Sequence, residues 1–236
     1  MKNNIRLYLT ALSQIWFPDL CLLCRQHLRS SESEICFSCV ETFPITNYHK
    51  EAENPLVKRL LGRIEINHAS AFLHFHKAGI VQNAIHQLKY KEKNKLGEKL
   101  GRLLAYQLKD DDSLIKNVDL IVPVPLHWKR EKERGYNQCD AIAQGISDIL
   151  QVPYSTQILQ RLVENISQTK RSRYDRWENV EGIFRVADTV SIKGKHILLV
   201  DDVITTGSTI EACVIGLQKV EDVRLSVVSL AVAGAT

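Results

Sequence analysis

The chain has 236 residues, of which 44% are hydrophobic and 25% charged, and its formal net charge is +4 at pH 7. This composition is typical of a globular protein, a chain of this length can hold one sizeable α/β domain plus a small module or two small domains, and there is no low-complexity tract. No apolar stretch approaches the roughly 18 residues that a membrane-spanning helix needs, and the N-terminus lacks the apolar core of a signal peptide. We therefore expect a cytoplasmic protein with no membrane span.

The first predicted element is an amphipathic helix at the N-terminus. Its apolar residues repeat at helical spacing from Ile5 to Trp16, and the pattern ends before Pro18. A stripe of this kind is typical of a helix that packs on a protein core. A helix that lies on a membrane surface is the alternative.

Two C-x-x-C pairs follow this helix, Cys21 with Cys24 and Cys36 with Cys39. A spacing of two residues lets a tight turn direct both sulfur atoms at one point, and two such pairs suit the tetrahedral site that Zn²⁺ prefers. The lack of a secretory signal disfavours disulfides, and the ribbon-like pairing disfavours an iron–sulfur cluster. We expect a structural zinc site, because a module of this size has too small a core to fold without one.

The rest of the chain alternates strands with helices, and we divide the protein into a module in residues 1–50 and a larger domain in residues 51–236. The predicted strands are 68–76, 118–125, 196–200 and 223–233. The predicted helices are 79–90, 95–109, about 136–150 and a last helix whose core face carries Ile210, Val214 and Leu217. This alternation indicates βαβ units and a parallel sheet that is covered by helices on both faces.

Other nucleophilic or metal-ligating side chains are interpreted as structural. Cys139 and Cys213 lie in helical patterns and are predicted to be small buried apolar residues. His68, His74 and His76 accompany the first strand at a spacing that matches no metal motif.

Three basic clusters occupy the middle of the chain, at 89–95, 128–135 and 169–176. Each one alone is typical of a solvated surface. Together they suit a polyanion, which is either a nucleic acid or a phosphorylated small molecule, and composition does not distinguish the two.

The most informative stretch is HILLVDDVITTGSTI, residues 196–210. Ligands of a parallel sheet bind beyond the carboxyl ends of its strands, so we expect Asp201 and Asp202 at the ligand edge. The loop that follows supplies four hydroxyl groups and a glycine that permits close approach: Thr205, Thr206, Gly207, Ser208 and Thr209. Because this loop leads into a helix N-terminus, it is predicted to bind a phosphate group.

The acidic pair needs a separate explanation, because carboxylates repel a phosphate. The vicinal hydroxyl groups of a ribose are a suitable partner for them, as in dinucleotide sites. The predicted ligand is therefore a ribose 5-phosphate. The alternative is a turn followed by a helix cap, which requires neither two carboxylates nor so many hydroxyl groups.

The stretch LLVDDVITTGST resembles the phosphoribosyl-pyrophosphate (PRPP) signature of type I phosphoribosyltransferases. The two C-x-x-C pairs and the segments LKY, VPVPLHWKREKERGYNQ and RWENVEGIF extend this resemblance to the ComF family over nearly the whole chain. The resemblance implies an α/β fold of the type I phosphoribosyltransferase kind, in which helices flank a parallel sheet, with a small N-terminal four-cysteine zinc module.

The resemblance also implies roles for the matching residues. Asp201 and Asp202 would hold the ribose hydroxyls, directly or through Mg²⁺, and residues 205–209 would bind the 5-phosphate. The residues that would approach the pyrophosphate are Lys89, Pro123, Val124, Pro125, Lys129, Arg130 and Arg134, the last three in a flexible loop. A cis peptide bond is compatible with the two prolines. The remaining matches are the run Gly135, Tyr136, Asn137 and Gln138 and a later element with Arg176 and Asn179.

These matches predict a Mg²⁺-dependent phosphoribosyltransferase that acts on PRPP and an unidentified acceptor, in connection with DNA uptake. Asp201, Asp202 and Arg134 are the expected catalytic residues, and the zinc module is the expected hood over the acceptor. One alternative is a non-catalytic protein that binds PRPP or phosphate together with single-stranded DNA or competence proteins. Another is a zinc ribbon that binds nucleic acid, although its spacer offers only Arg25 and Arg29 as cations.

Overall fold

A computed structural model of the chain describes residues 19–90, 93–109, 115–163 and 182–234. Contacts divide the chain into two compact units, Met1–Phe43 and Pro44–Thr236. The predicted N-terminal helix and the basic cluster at 169–176 lie outside the described residues. Across the described ranges, no helix has both the length and the apolar character to cross a membrane.

Residues 19–43, the described part of the smaller unit, consist mainly of turns. Two isolated antiparallel bridges pair Leu20 with His27 and Ser33 with Ile35. They are followed by one short helix, α1 (Phe37–Glu41). Few apolar residues are buried within the described range 19–43, and among them Ile35 is fully enclosed.

The larger unit begins before the predicted boundary at residue 50, because residues 44–46 lie along its first strand. The N–H group of Thr46 donates to the carbonyl oxygen of Phe72 at 3.0 Å, and that of His74 donates to Pro44 at 2.8 Å. A bridge also joins Ile45 to Leu73. This short segment therefore folds with the sheet.

Helices and strands alternate through the larger unit, as the sequence predicts. The strands are β1 (His68–Phe75), β2 (Leu120–Pro123), β3 (Leu159–Arg161), β4 (Phe184–Val186), β5 (His196–Ile204) and β6 (Arg224–Ala233). The helices are α2 (Pro55–Leu60), α3 (Ile80–Gln87), α4 (Asn94–Lys109), α5 (Trp128–Arg134), α6 (Gln138–Leu150) and α7 (Ser208–Leu217). A short 3-10 turn, Tyr48–Lys50, precedes α2.

The main sheet is parallel, and its strands follow the order β1-β6-β5-β2. The middle strands β5 and β6 are buried along most of their length, as expected for a sheet with helices on both faces. The predicted fold class, a parallel α/β sheet flanked by helices, is confirmed. The small antiparallel pair of β3 and β4 was not predicted, because three residues are too few to show a strand period.

Helices α4 and α6 pack closely through glycines. A Cβ atom on Gly101 would overlap the carbonyl oxygen of Ile142, and one on Gly145 would overlap that of Glu98. At the outer side of the same contact, the Arg102 guanidinium donates to the Asp148 carboxylate at 2.7 Å. Since α6 also contains the residues beside the ligand edge of the sheet, this close packing holds one side of the candidate site.

Two predicted boundaries differ from the structure in ways that affect the site. Strand β5 continues past Val200 to Ile204. The acidic pair therefore lies inside the strand, near its carboxyl end, and not in the loop beyond it. The segment expected to be a flexible loop forms helix α5, and α6 begins at Gln138 and not at Tyr136. No peptide bond in the described ranges is cis.

Candidate functional site

The acidic pair lies near the carboxyl end of β5, in the middle of the sheet, and its two members differ in environment. Asp201 is buried, with 7% of its surface exposed, whereas Asp202 is half-buried. One carboxylate oxygen of Asp201 accepts from the Asp202 N–H at 2.9 Å and lies 3.8 Å from the thiol sulfur of Cys139. Burial, and then the charge of Asp202, raises the pKa of Asp201 well above its ordinary value. Asp202 is therefore the carboxylate more accessible to a ligand.

The loop between β5 and α7 turns sharply at Gly207, whose φ is +83°. A Cβ atom there would lie 2.8 Å from Leu60, so glycine is required both for the left-handed backbone and for space. The Thr206 and Ser208 hydroxyls lie 3.0 Å apart, and Thr205 and Thr206 are exposed. The first N–H groups of α7 have no partner within the helix, so this loop can bind an anion.

Two arginines near α2 hold this loop, and the sequence analysis did not identify them. The Arg59 guanidinium donates to the carbonyl oxygens of Thr205 and, at 2.7 Å, of Ala233. The Arg63 guanidinium donates to the Thr206 carbonyl oxygen at 2.8 Å and pairs with the Glu211 carboxylate on α7. The sequence carried no signal for these contacts, because they join residues more than 140 positions apart.

The VPVP segment follows β2 and lies beside the acidic pair. Strand β2 pairs with β5 as far as Pro123 with Val200, and the Val124 N–H donates to the Val200 carbonyl oxygen at 2.8 Å. Pro123 and Val124 are buried, and Pro125 is half-buried. The predicted loop is therefore next to the acidic strand at the same edge of the sheet.

Helix α5 carries the cations of the second basic cluster. The imidazole of His127 caps it by accepting from the Lys129 N–H at 3.4 Å, and Gly135 ends it with a φ of +79°. Lys129 is exposed, while Arg130 and Arg134 are half-buried.

Four consecutive residues at the start of α6 join the parts of the site. The phenol of Tyr136 donates to the Leu88 carbonyl oxygen, next to Lys89, and the amide of Asn137 donates to the Val124 carbonyl oxygen at 3.1 Å. The amide of Gln138 donates to the Asp202 carboxylate at 2.9 Å. The thiol of Cys139 faces the Asp201 carboxylate. Cys139 and Cys213 are both buried, as predicted. The buried side chain of Cys139 is nonetheless part of the acidic cluster.

One further cation near the site, Arg161 on β3, was also missed. Its guanidinium lies 5.5 Å from the ring centroid of Phe184. Burial, and then the charge of Arg130, lowers the pKa of Arg161, while Asp201 raises it.

The sheet brings most of the predicted site residues to one edge. The acidic pair, the 205–209 loop, VPVP and the residues that follow VPVP all lie at the carboxyl ends of the neighbouring parallel strands β5 and β2. Lys89 is exposed and lies in the turn after α3, beside the carbonyl that Tyr136 contacts. Arg176 and Asn179 lie outside the described residues.

The smaller unit holds a compact group of four cysteine sulfurs. All four lie within 4.8 Å of one another, with Cys21 to Cys39 at 3.8 Å and Cys24 to Cys36 at 3.6 Å. The edge of a tetrahedron around a metal with bonds of about 2.3 Å to sulfur is about 3.8 Å, so the spacing fits a metal ion. None of the four forms a disulfide.

The thiols of this group differ in their electrostatics. Burial and hydrogen bonds with the other thiols raise the pKa of Cys39 and of Cys36, whereas Cys21 behaves differently. Burial raises the pKa of the Cys21 thiol, but backbone hydrogen bonds from Cys24, Cys36 and Leu23 outweigh burial and lower the pKa to about 6. The Cys36 N–H lies 3.4 Å from this sulfur. A metal ion binds the thiolate form, so this cysteine is prepared for ligation.

Comparison with known proteins identifies relatives of this chain and of its larger unit. Residues 141–233 match the phosphoribosyl transferase domain. The chain is 28% identical over 204 residues to Competence protein F of Haemophilus influenzae, which covers 83% of this chain and 89% of that protein. It is also 28% identical over 207 residues to the DNA utilization protein YhgH of Escherichia coli, with 82% and 88% covered. The resemblance to the ComF family is confirmed.

The ComF-type relatives match most of this chain, and the phosphoribosyl transferase match includes α6 from Ala141 onward, β5 and the loop before α7. Among solved structures, the glutamine phosphoribosylpyrophosphate amidotransferase of B. subtilis is similar with a TM-score of 0.37 and 18% identity, over 61% of this chain and 26% of that one.

Proposed function

We propose that the protein binds PRPP together with Mg²⁺ and transfers its phosphoribosyl group to an acceptor that is not yet identified. The observation that carries this proposal is the order of groups at one sheet edge. A carboxylate pair lies near the carboxyl end of the central strand, and a hydroxyl-rich loop and a helix N-terminus follow that strand. That order suits a ligand with a diol and a phosphate a few ångströms apart.

The phosphate end of the ligand would lie on residues 205–209. Backbone N–H groups at the start of α7 and the hydroxyls of Thr206 and Ser208 are donors of the kind that phosphate oxygens accept. Arg59 and Arg63 bond the loop carbonyls, which holds the loop in one shape and leaves positive charge nearby. Such pre-organisation lowers the entropic cost of binding.

The sugar would lie against the acidic pair. Asp202 is the partner that we assign to the ribose hydroxyls, directly or through Mg²⁺, because it is the more exposed of the two. Asp201 is buried beside Cys139 and would stabilise the position of Asp202, whose N–H group it accepts from. Carboxylate oxygens are ligands that Mg²⁺ accepts, and the bound ion would supply positive charge that offsets the charge of the pyrophosphate.

The pyrophosphate would face Lys89, Val124, Lys129, Arg130 and Arg134. During transfer, the bond between ribose C1 and the pyrophosphate oxygen breaks, and the leaving group keeps the electron pair. Cations that face this oxygen stabilise the charge as it develops, while the nucleophilic atom of the acceptor forms the new bond to C1. Arg134 has the central role in this scheme because it is linked to Asp202 through Gln138.

Calorimetry with PRPP and saturating Mg²⁺ tests the binding step. We expect Asp202→Asn to weaken binding about 10- to 100-fold, the effect of removing a hydrogen bond to a charged group. Asp222→Asn, at an exposed turn, is the matched control and should bind as the wild type does. Absence of binding heat from the wild type would refute the proposal.

Pyrophosphate release then separates transfer from simple binding. The protein is incubated with PRPP, Mg²⁺ and a panel of nucleobases, amines and oligonucleotides, and released pyrophosphate is measured. Release that requires an acceptor and is abolished by Asp202→Asn supports a transferase. Tight binding with no release across the panel supports the non-catalytic alternative.

A second candidate function is the binding of single-stranded DNA, alone or with competence proteins. Trp128, at the start of basic helix α5, has 60% of its surface exposed. The ammonium of Lys129 lies 5.8 Å from its ring centroid, so a base-stacking surface and cations for the backbone are adjacent. The relatives named for competence and DNA utilization add weight to this proposal.

Fluorescence anisotropy with a labelled oligothymidylate tests this second function. Trp128→Ala should weaken binding about fivefold or more, since stacking contributes about 1–3 kcal/mol per base. Tyr106→Ala removes another exposed aromatic side chain, on α4, and should have no effect. Affinity that does not fall with added salt would contradict the proposal, because phosphate contacts depend on salt.

We also propose that the four cysteines hold a structural Zn²⁺ ion. Four sulfur ligands leave no open position for a substrate, so the ion would stabilise the small unit and take no part in transfer. Reduced thiols of this kind suit a cytoplasmic protein.

A further inference from the structure

Gln138 lies between two charged groups of the candidate site. The Arg134 Nη1 group donates to its Oε1 atom at 3.0 Å, and its Nε2 group donates to the Asp202 carboxylate at 2.9 Å. Gln138 is buried, with 6% of its surface exposed. The neutral amide thus connects the cation of the basic helix with the accessible carboxylate of the acidic pair.

The neutral amide of Gln138 satisfies both partners, accepting with its oxygen and donating with its N–H group. The guanidinium offers donors alone, and an ionised carboxylate offers acceptors alone, so the group between them must accept on one side and donate on the other. The reversed amide would place N–H against N–H and oxygen against oxygen. The two charges therefore determine the orientation of the Gln138 side chain.

The amide also keeps the two charges from pairing directly. A guanidinium and a carboxylate in direct contact form a two-bond pair, which would occupy the groups that the ligand needs. With Gln138 between them, Arg134 uses one of its five N–H groups on the amide. The Asp202 carboxylate accepts from Gln138 on one oxygen and from the Val203 N–H, at 2.7 Å, on the other. Each oxygen keeps a second lone pair for a ligand.

The backbone on either side of Gln138 is fixed. Asn137 caps α6 by accepting from the Cys139 N–H at 3.2 Å, and its amide donates to the Val124 carbonyl oxygen. Gln138 is the first residue of the helix, so its side chain starts from a defined point.

We propose that Gln138 is a positioning residue that sets the distance and orientation between the sugar-binding carboxylate of Asp202 and the pyrophosphate-binding guanidinium of Arg134. This inference rests on the proposed function. Gln138 contacts no ligand in this scheme and acts only through its two neighbours.

The experiment measures PRPP affinity in the presence of Mg²⁺ by calorimetry for the wild type, Gln138→Met, Asp202→Asn and the double variant. Methionine keeps the length of the side chain and removes both hydrogen bonds. We expect Gln138→Met alone to weaken binding about 10- to 100-fold. The double variant should lose clearly less affinity than the product of the two single losses, because part of the effect of the amide passes through the Asp202 carboxylate.

Gln144→Met is the matched control on the same helix. The Gln144 amide also accepts from a donor, the Tyr154 hydroxyl at 2.7 Å, and donates to a carboxylate, that of Asp148 at 3.2 Å. This variant loses equivalent bonds away from the site and should keep wild-type affinity. Thermal unfolding of every variant checks that the fold is retained.

The outcomes separate this inference from the proposed function. If the wild type shows no binding heat, the proposed function fails and this inference fails with it. If the wild type binds and Gln138→Met binds equally well, only the positioning role is refuted. Losses that multiply in the double variant, or that match those of Gln144→Met, indicate a merely structural role and also overturn the inference.

Discussion

Neighbouring residues of the same type have different environments in this protein. Asp201 and Asp202 are adjacent and chemically identical, yet one is buried against Cys139 and the other is half-exposed and held by Gln138. Consecutive side chains of a strand point to opposite faces of the sheet, so the two carboxylates have different surroundings although both contact the start of α6. The roles that we assign to the two aspartates follow from this difference.

A buried histidine gives a prediction at the same scale. The His196 ring lies 2.8 Å from the Ser226 hydroxyl, and burial lowers its pKa below the ordinary 6.5. The unfolded chain takes up a proton below about pH 6.5, while the native state resists it until lower pH. This contribution to the free energy of unfolding is therefore complete above about pH 6.5 and is lost as the pH falls toward the native pKa.

We expect His196→Gln to make the free energy of unfolding decline less between pH 7.5 and pH 5.5 than in the wild type. Urea unfolding at the two pH values measures this change. His86→Gln, at an exposed position, should keep the wild-type decline. An unchanged decline in His196→Gln would contradict the prediction.

At the scale of elements, the contact between α4 and α6 is notable for its closeness. Gly101 and Gly145 leave no room for a Cβ atom, because each faces a backbone carbonyl of the opposite helix. The N-terminus of α6 carries Asn137, Gln138 and Cys139, which contact the site. Close helix packing is thus one physical basis for the position of these side chains.

We expect Gly101→Ala to lower the free energy of unfolding by about 1–3 kcal/mol, because the added methyl group forces the helices apart. Chemical denaturation measures this value. Gly216→Ala is the matched control, since its Cβ atom would meet only the Phe184 carbonyl oxygen at 3.8 Å. It should be neutral or stabilising by up to about 1 kcal/mol through helix propensity. Equal losses in the two variants would show that the close approach is not the cause.

At the scale of the whole molecule, the chain consists of two compact units with different sources of stability. The larger unit has an extensive core of buried apolar side chains around its sheet, whereas residues 19–43, the described part of the smaller unit, contribute few such side chains. We attribute the stability of the smaller unit mainly to the proposed zinc ion, as in other small metal-binding modules.

We therefore expect Cys36→Ser to lose bound zinc and to unfold the smaller unit only. Metal analysis should fall from about one zinc per chain to near zero, and limited proteolysis should cut within residues 19–43 while the larger unit stays resistant. Cys213→Ala, in the core of the larger unit, should keep its zinc. Full zinc content in Cys36→Ser would contradict the assignment.

Much of the fold could be predicted because its signals are local. The apolar run of β5, the helical spacing of Leu100, Leu104 and Leu108, and the spacing of the cysteine pairs each involve residues close in sequence. The order β1-β6-β5-β2 could not be derived this way, since it depends on which distant strands pair. The hood role of the zinc module and the cytoplasmic location stay predictions.

The amino-acid sequence by itself determined the parallel α/β class, the four-cysteine module and the candidate residues at the acidic strand and its loop, because each is written in short-range spacing and residue chemistry. Only the tertiary structure decided that Arg59 and Arg63 hold the loop, that Asp201 is buried while Asp202 is not, and that Gln138 joins Arg134 to Asp202. These relations depend on distances between separate elements, and such distances exist only after the chain has packed.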